Sequence, residues 1–274
     1  MIPYEDFFDA LTPFTPQQWH DALLLVYFAS SVLVFLVLHF FTTASYGRHD
    51  SQDRAWWWGP GVPTRTAWIV MEAPSSLGFA VIFFAGADAL KAAPLLLFFM
   101  WQAHYFQRSF IYPFVRKVRA GDTTPLLVPV LAFLTNLGVS YLNASILSWA
   151  LVEGDYQNSW LTDPRFLIGA VIFATGYYVN RKADAMLAAL RKPGETGYKI
   201  PRGWLYEKVS CPNYLGEFMV WTGWAIATWS TAGVVFVLWT LANLLPRAFT
   251  NHAWYHEKFA DYPATRKAVI PHLL

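Results

Sequence analysis

Glu72 stands in the stretch TAWIVMEAPSSLGFAVIFF, an apolar run long enough to cross a bilayer, two residues before Pro74. A helix rises about 1.5 Å per residue, so Glu72 lies roughly 9 Å inside a span that starts near Thr66. Tyr105 lies roughly 10 Å from the end of the next apolar run, which travels the other way and leaves near Tyr112. The two residues therefore share one level. Trp101, Tyr105, Arg108 and Tyr112 follow at i, i+4, i+7 and i+11, one stripe of a regular helix. Ionisable groups in a span are costly and tend to mark function, and a Glu level with a Tyr, with Arg108 one turn away, fits that reading. The same groups can also serve as a buried hydrogen bond that ties two helices together. Pro74 lacks an N–H, which frees a carbonyl near residue 70 and permits a kink beside Glu72.

A second set of polar residues repeats one spacing. Asn180 and Asp184 are four apart, as are Asn213 and Glu217, and each pair shares a helix face. Between them runs RKPGETGYKIPRGWLYEKVSCPN, where aromatic and cationic residues alternate and Arg191 follows Asp184 closely. Two polar pairs flanking a cationic loop suit a polar, anionic cofactor. Helix-end capping and interfacial solvation account for them equally well, and spacing alone does not choose. Neither GxGxxG nor GxxxxGK[ST] is present, and the seven histidines form no metal-binding motif. His104 alone has an interesting depth, where a helix–helix hydrogen bond suits it. Cys211, the single cysteine, excludes intrachain disulfides and reads as structural.

The elements that must position these residues are membrane helices. Of 274 residues, 55% are hydrophobic and 14% charged, where a soluble domain carries about a quarter charged. A net charge of +2 without a basic tract argues against nucleic acid as a partner. The N-terminal stretch MIPYEDFFDALTPFTPQQWHD is acidic and lacks the cationic start of a cleaved signal peptide. Seven segments reach the roughly 20 apolar residues a crossing needs, at about 20–42, 66–86, 89–112, 124–151, 164–184, 212–229 and 231–249. The last two form a tight hairpin around STAG. The fourth, with Asn136 and Asn143, is expected to tilt or to be partly irregular. Every Lys and Arg except Lys91 and Arg165 falls on one side of such a bundle, which sets the N-terminus outside and the C-terminus in the cytosol. No repeat or linker divides the chain. The sequence predicts an all-α integral membrane protein, one domain over 1–274.

The segment NRKADAMLAALRKPGETGYKIPRGWLYEKVSCPNYLGE, then WTGWAIATWS, then the tail FADYPATRKAVIPHLL closely resemble the steroid 5α-reductase family. Upstream, Met71-Glu72-Ala73-Pro74 and AHYFQRSFIYPF around Tyr105 look like that family's two substrate-site segments. The resemblance runs from about residue 66 to the C-terminus. Enoyl-CoA, polyprenol and sterol reductases and isoprenylcysteine methyltransferases share the general pattern of the C-terminal half. The Glu72 and Tyr105 segments favour the steroid branch.

The resemblance implies a seven-helix fold that binds NADPH in a cavity open to the cytosol and transfers hydride to the β-carbon of a 3-oxo-4-ene steroid. Carried over by position, Glu72 and Tyr105 are the catalytic pair. Arg108, Tyr112, Arg119, Asn180, Asp184, Arg191, Tyr198, Asn213, Glu217 and Tyr255 match cofactor-binding positions. Lys199 stands where the family can have arginine. A run of histidines that the family can carry is replaced by RAFTNHAWY, so its contact passes to Asn251 or His252. Met71 stands where the family can have glutamine. Addition of hydride to an enone builds charge on the carbonyl oxygen, and Tyr105 can donate to it. Glu72 either donates as a neutral acid or, ionised, accepts a hydrogen bond and orients Tyr105. The partners implied are an apolar steroid or terpenoid enone and the membrane lipid, with no metal, no nucleic acid and no obligate protein partner. The membrane is a bacterial inner membrane or an endoplasmic reticulum. A methyltransferase using S-adenosylmethionine and a non-enzymatic lipid-binding or transport protein are the rival readings.

Overall fold

Long apolar runs with little charge can satisfy their backbone only as helices, and the chain obeys this. The computed structural model describes residues 14–41, 56–116, 118, 121–149, 156–190, 195 and 197–274. Seven helical rods succeed one another among them, one on each of the seven apolar segments. They are α1 (Pro16–Phe40), α2 (Thr64–Ala85), α3 (Ala92–Phe106, extended below), α4 (Leu127–Ser148), α5 (Pro164–Ala189), α6 (Pro212–Thr228) and α7 (Thr231–Lys258). Helix α1 starts on a capping box, in which Thr15 and Gln18 each accept the other's backbone N–H. A short antiparallel ribbon joins Gly61–Pro63 to Thr123–Pro125 and ties the start of α2 to the start of α4.

Four of these helices, α1, α2, α4 and α7, are long and apolar enough to cross a membrane. The α part of α3 has 15 residues and α6 has 17. The 26-residue α5 is polar in its last turns, at Asn180, Arg181, Lys182 and Asp184. The fold is therefore an all-helical membrane protein.

Three expectations need correction. Irregularity lies in α2 and α3, while α4 is one unbroken helix. In α2 a π turn, Pro74–Gly78, closes with Phe79 N–H donating to the Pro74 carbonyl. In α3 a second π turn, Gln107–Ile111, closes with Tyr112 N–H on the Gln107 carbonyl, and a last α turn, Tyr112–Val115, follows. The stripe from Trp101 to Tyr112 thus changes phase midway. Asn136 and Asn143 do not disturb α4; they bond to Met71 of α2 and Trp224 of α6. Both α5 and α7 also run further than their apolar stretches, because polar side chains at a membrane surface cost a helix little. Asn251, His252 and Tyr255 consequently lie on α7. The tight hairpin between α6 and α7 is present as expected: Trp229 takes a left-handed φ of 46°, and Ser230 caps α7 by accepting from Gly233 N–H at 3.0 Å.

The core is aromatic. Phe79 stacks on Trp101 at 4.4 Å, and Trp221 sits 4.3 Å from Phe236 and 5.2 Å from Trp101. Buried indole N–H groups all find carbonyls or side-chain oxygens, as lipid demands. Trp101 reaches Ser75 O at 2.6 Å, Trp224 reaches Asn143 Oδ1 at 2.8 Å, and Trp160 reaches Ala227 O at 2.9 Å. The tightest helix pair is α5 with α6. Gly169 and Gly176 on α5 and Gly216 and Gly223 on α6 each lie seven residues apart, and a methyl on any of them would strike the opposite backbone. Small residues at such a seam let backbones approach closely in membranes.

Candidate functional site

The glycine seam brings the two polar pairs together. Gly216 lies against the backbone of Asn180, so the start of α6 meets the polar end of α5. Asn180 Nδ2 donates to Glu217 Oε1 and to Asn213 O, both at 3.0 Å. Asn213 Nδ2 donates to Asp184 Oδ1 at 3.2 Å. Asn180, Asp184 and Glu217 are all buried.

Helix α3 places Arg108 over this cluster. Its Nη1 is 3.4 Å from Asp184 Oδ2 and its Nε 3.9 Å from Glu217 Oε1. The guanidinium also faces the rings of Tyr112, at 4.7 Å, and Trp68, at 5.2 Å. Trp68 Nε1 donates to the Arg108 carbonyl at 3.3 Å. Glu72 is a further electrostatic neighbour of Arg108. A buried ion pair costs several kcal/mol of desolvation per ion and seldom exists for stability alone. Two buried carboxylates, Asp184 and Glu217, thus stand against one arginine.

Tyr105 is buried one turn before Arg108. Its ring stacks on Trp221 at 5.2 Å and lies 5.0 Å from Trp101. Glu72 is among its electrostatic neighbours, and the Ser75 side chain on α2 interacts with its hydroxyl. Next to Tyr105, His104 extends Nε2 to within 3.4 Å of Glu217 Oε2, which also accepts from Trp221 Nε1 at 3.1 Å. His104, Trp68 and Trp221 were not singled out as site residues by sequence. Adjacency was the available signal for His104, and spacing of four from Glu72 and Glu217 was the signal for the tryptophans.

The remaining site residues divide. Tyr198 packs edge-on against Trp254 at 4.9 Å and is partly exposed. Lys199 is exposed and pairs with Glu195 at 2.6 Å. Asn251 Nδ2 reaches Tyr214 OH at 3.4 Å and Cys211 Sγ at 3.7 Å. His252 Nδ1 is 2.6 Å from Ser210 Oγ, which is 2.7 Å from the Tyr262 hydroxyl, and Tyr255 stacks on Tyr262 at 5.0 Å. These residues gather beside the start of α6. The chain's last residues pin that corner: Ser210 N donates to Lys267 O at 2.8 Å, Cys211 N to Ala268 O at 3.0 Å, and buried Arg266 to Pro201 O at 2.9 Å. Arg119 and Arg191 lie outside the described residues.

A dinucleotide is a dense set of hydroxyls, amides and phosphates, and the cluster offers matching groups without partners. Asn180 Oδ1, His104 Nδ1, both ends of the Gln107 carboxamide and Arg181 Nη1 are buried and close no hydrogen bond among the described residues. Buried polar atoms are rarely left so.

Comparison with known proteins identifies the lineage. The family described as 3-oxo-5-alpha-steroid 4-dehydrogenase matches residues 125–274. The chain belongs to this family. It is 42% identical over 259 residues to the 3-oxo-5-alpha-steroid 4-dehydrogenase 1 of Bos taurus, covering 93% of this chain and 96% of that one. It is 44% identical to the steroid 5-alpha-reductase DET2 of Arabidopsis thaliana over 86% of this chain and 89% of that one. Identity to the Homo sapiens 3-oxo-5-alpha-steroid 4-dehydrogenase 1 is 43%, over 85% and 87%. The 3-oxo-5-alpha-steroid 4-dehydrogenases are oxidoreductases, so the chain is an enzyme of that class.

Proposed function

We propose that this protein reduces the 4,5 double bond of 3-oxo-4-ene steroids to 5α products, with NADPH as reductant. The observation that carries the reading is the position of Arg108. It links the Glu72–Tyr105 pair to the Asn180, Asp184, Asn213 and Glu217 cluster, in a chain of the steroid dehydrogenase family. The pair meets the enone, and the cluster meets the cofactor.

The residue types fit NADPH. Carboxylates at Asp184 and Glu217 and the free acceptor on Asn180 suit ribose hydroxyls and an amide. Arg108, Arg119, Arg191 and Lys199 supply cations for phosphates. Tyr112, Tyr198, Asn251, His252 and Tyr255 complete the binding wall. When bound, NADPH supplies the hydride for the enone β-carbon. Tyr105 donates its O–H toward the carbonyl oxygen, where negative charge grows, and Glu72 either donates beside it or accepts and orients it. The aromatic packing around Tyr105 keeps that hydroxyl in a dry, fixed place.

All seven helices cross the membrane in this reading, as one domain. The N-terminus is outside and the cofactor cluster faces the cytosol, the side favoured by the basic residues. An apolar steroid enters laterally from lipid while NADPH arrives from water.

Purified protein incubated with NADPH and progesterone or testosterone tests the activity. The 5α-dihydro steroid is the expected product. Folded protein that converts none of several enone steroids would remove the proposal.

A further inference from the structure

Glu72 lies two residues before the π turn of α2, and Tyr105 lies two residues before that of α3. A π turn carries one extra residue, so faces beyond it are rotated by about 100° relative to a straight helix. Helix periodicity alone therefore does not aim either side chain. Pro74 has no N–H for the carbonyl near residue 70, and the π turn shifts the bonds that follow, so α2 is open here to bonds from neighbouring helices.

Side chains from α3 and α4 fill the gap. Asn136 Nδ2 donates to Met71 O at 2.7 Å, Ser109 Oγ to Glu72 O at 2.8 Å and Ser140 Oγ to Pro74 O at 3.0 Å. Trp101 Nε1 donates to Ser75 O at 2.6 Å. Gln102 bonds Ser76 reciprocally, donating from Nε2 to Ser76 O at 2.9 Å and accepting from Ser76 Oγ at 2.8 Å. Ser109 belongs to the second π turn, so one turn grips the backbone of the very residue that precedes the other.

We propose that Ser109 and Gln102 are positioning residues, which tie the π turn of each helix to the other helix and so set the register of Glu72 against Tyr105. Both act through α2 backbone. The proposal rests on Glu72 and Tyr105 being the reacting pair. The two residues fix the pair's spacing, to which turnover is sensitive, and make no contact with the cofactor cluster.

The experiment compares Ser109→Ala, Ser109→Thr, Gln102→Leu and Ser76→Ala with Glu72→Gln and Tyr105→Phe in the full-length protein. It measures kcat, KM for steroid, NADPH affinity by binding and thermal stability. A displacement near 1 Å costs about a hundredfold in rate. Ser109→Ala and Gln102→Leu are expected to lower kcat by about tenfold to a hundredfold, with KM and NADPH affinity within about twofold of the parent protein. Ser109→Thr, which keeps the hydroxyl, retains turnover. If the Glu72 and Tyr105 variants lose turnover while Ser109→Ala and Gln102→Leu keep it, the positioning role is wrong. If kcat, NADPH affinity and stability all fall together, the bonds serve only the fold and the proposal is overturned as well. If Glu72→Gln and Tyr105→Phe both turn over normally, the reading of the pair itself fails first.

Discussion

Gly216 lies so close to Asn180 that a single methyl on the glycine would collide with the asparagine's backbone, and Asn180 in turn donates to Glu217 at 3.0 Å. The Asn180–Glu217 cluster thus depends on a glycine that carries no chemistry. Any side chain there must push α5 and α6 apart.

Gly216→Leu is expected to separate the seam, costing about 1–3 kcal/mol as overpacking does, and to break the Asn180–Glu217 bond. NADPH affinity should drop at least tenfold. Gly223→Leu, two turns further along the same seam, should lower stability comparably with a smaller loss of affinity. Calorimetric or fluorescence titration with NADPH, alongside thermal unfolding in detergent, separates the two. Equal affinity in both variants would contradict the arrangement.

Glu72→Gln and Tyr105→Phe are expected to lower turnover by a factor of about 10² or more, the usual consequence of removing a donor aimed at a developing oxyanion. NADPH binding should remain largely intact, because neither side chain contacts the Asn180–Glu217 bond. Steady-state assays paired with cofactor titration check this. Wild-type rates in both variants would show that the pair is not the reacting centre.

Asn213→Ala removes the donor to Asp184 and leaves that buried carboxylate one bond poorer. A lost bond to a buried charged group costs about 1–3 kcal/mol, so the KM for NADPH should rise about tenfold with a smaller change in kcat. A fall in kcat alone would place Asn213 with the substrate.

Glu207 gives a pH dependence outside the membrane. The Gly203 amide, first, and then Arg266 hold its carboxyl below the usual carboxylate range. A depressed value in the fold means the contact stabilises above the unfolded value of about 4.3 and is lost as pH falls through the folded one. The carboxyl is half exposed, so the effect is local. Hydrogen-exchange protection across residues 266–274, corrected for intrinsic exchange at each pH, should fall in acid, and Glu207→Gln should flatten that dependence. The same acid profile in both proteins would contradict the linkage.

Much of this was legible in the sequence. Apolar runs gave the seven helices, and Glu72 announced itself as a carboxylate where lipid discourages one. The repeated spacing of four in Asn180–Asp184 and Asn213–Glu217 pointed to faces that do meet. The seam that joins them was also written there, as glycines seven apart on two segments, yet composition masks it because small residues raise no alarm. The π turns were not legible. Pro74 marks a weak point in α2, but nothing in QRSFI sets it apart from ordinary helix, and the bond from Ser109 to the Glu72 carbonyl in that turn spans 37 residues of sequence. The extension of α7 to Lys258 was hidden because its last turns are polar, where hydropathy no longer reports a helix. His104 was visible only as a depth and as the neighbour of Tyr105, since its partner Glu217 lies on a helix more than a hundred residues later.

The central claim is that Glu72 and Tyr105 present an enone to reductant bound at the Arg108 cluster. NADPH deuterated at the transferable position, incubated with purified protein and progesterone, tests it most directly. The account predicts a 5α-dihydro steroid carrying one deuterium at C5, the enone β-carbon, with one NADPH consumed per product. A reduced steroid with no deuterium at C5, or no reduced steroid from folded protein, would contradict it.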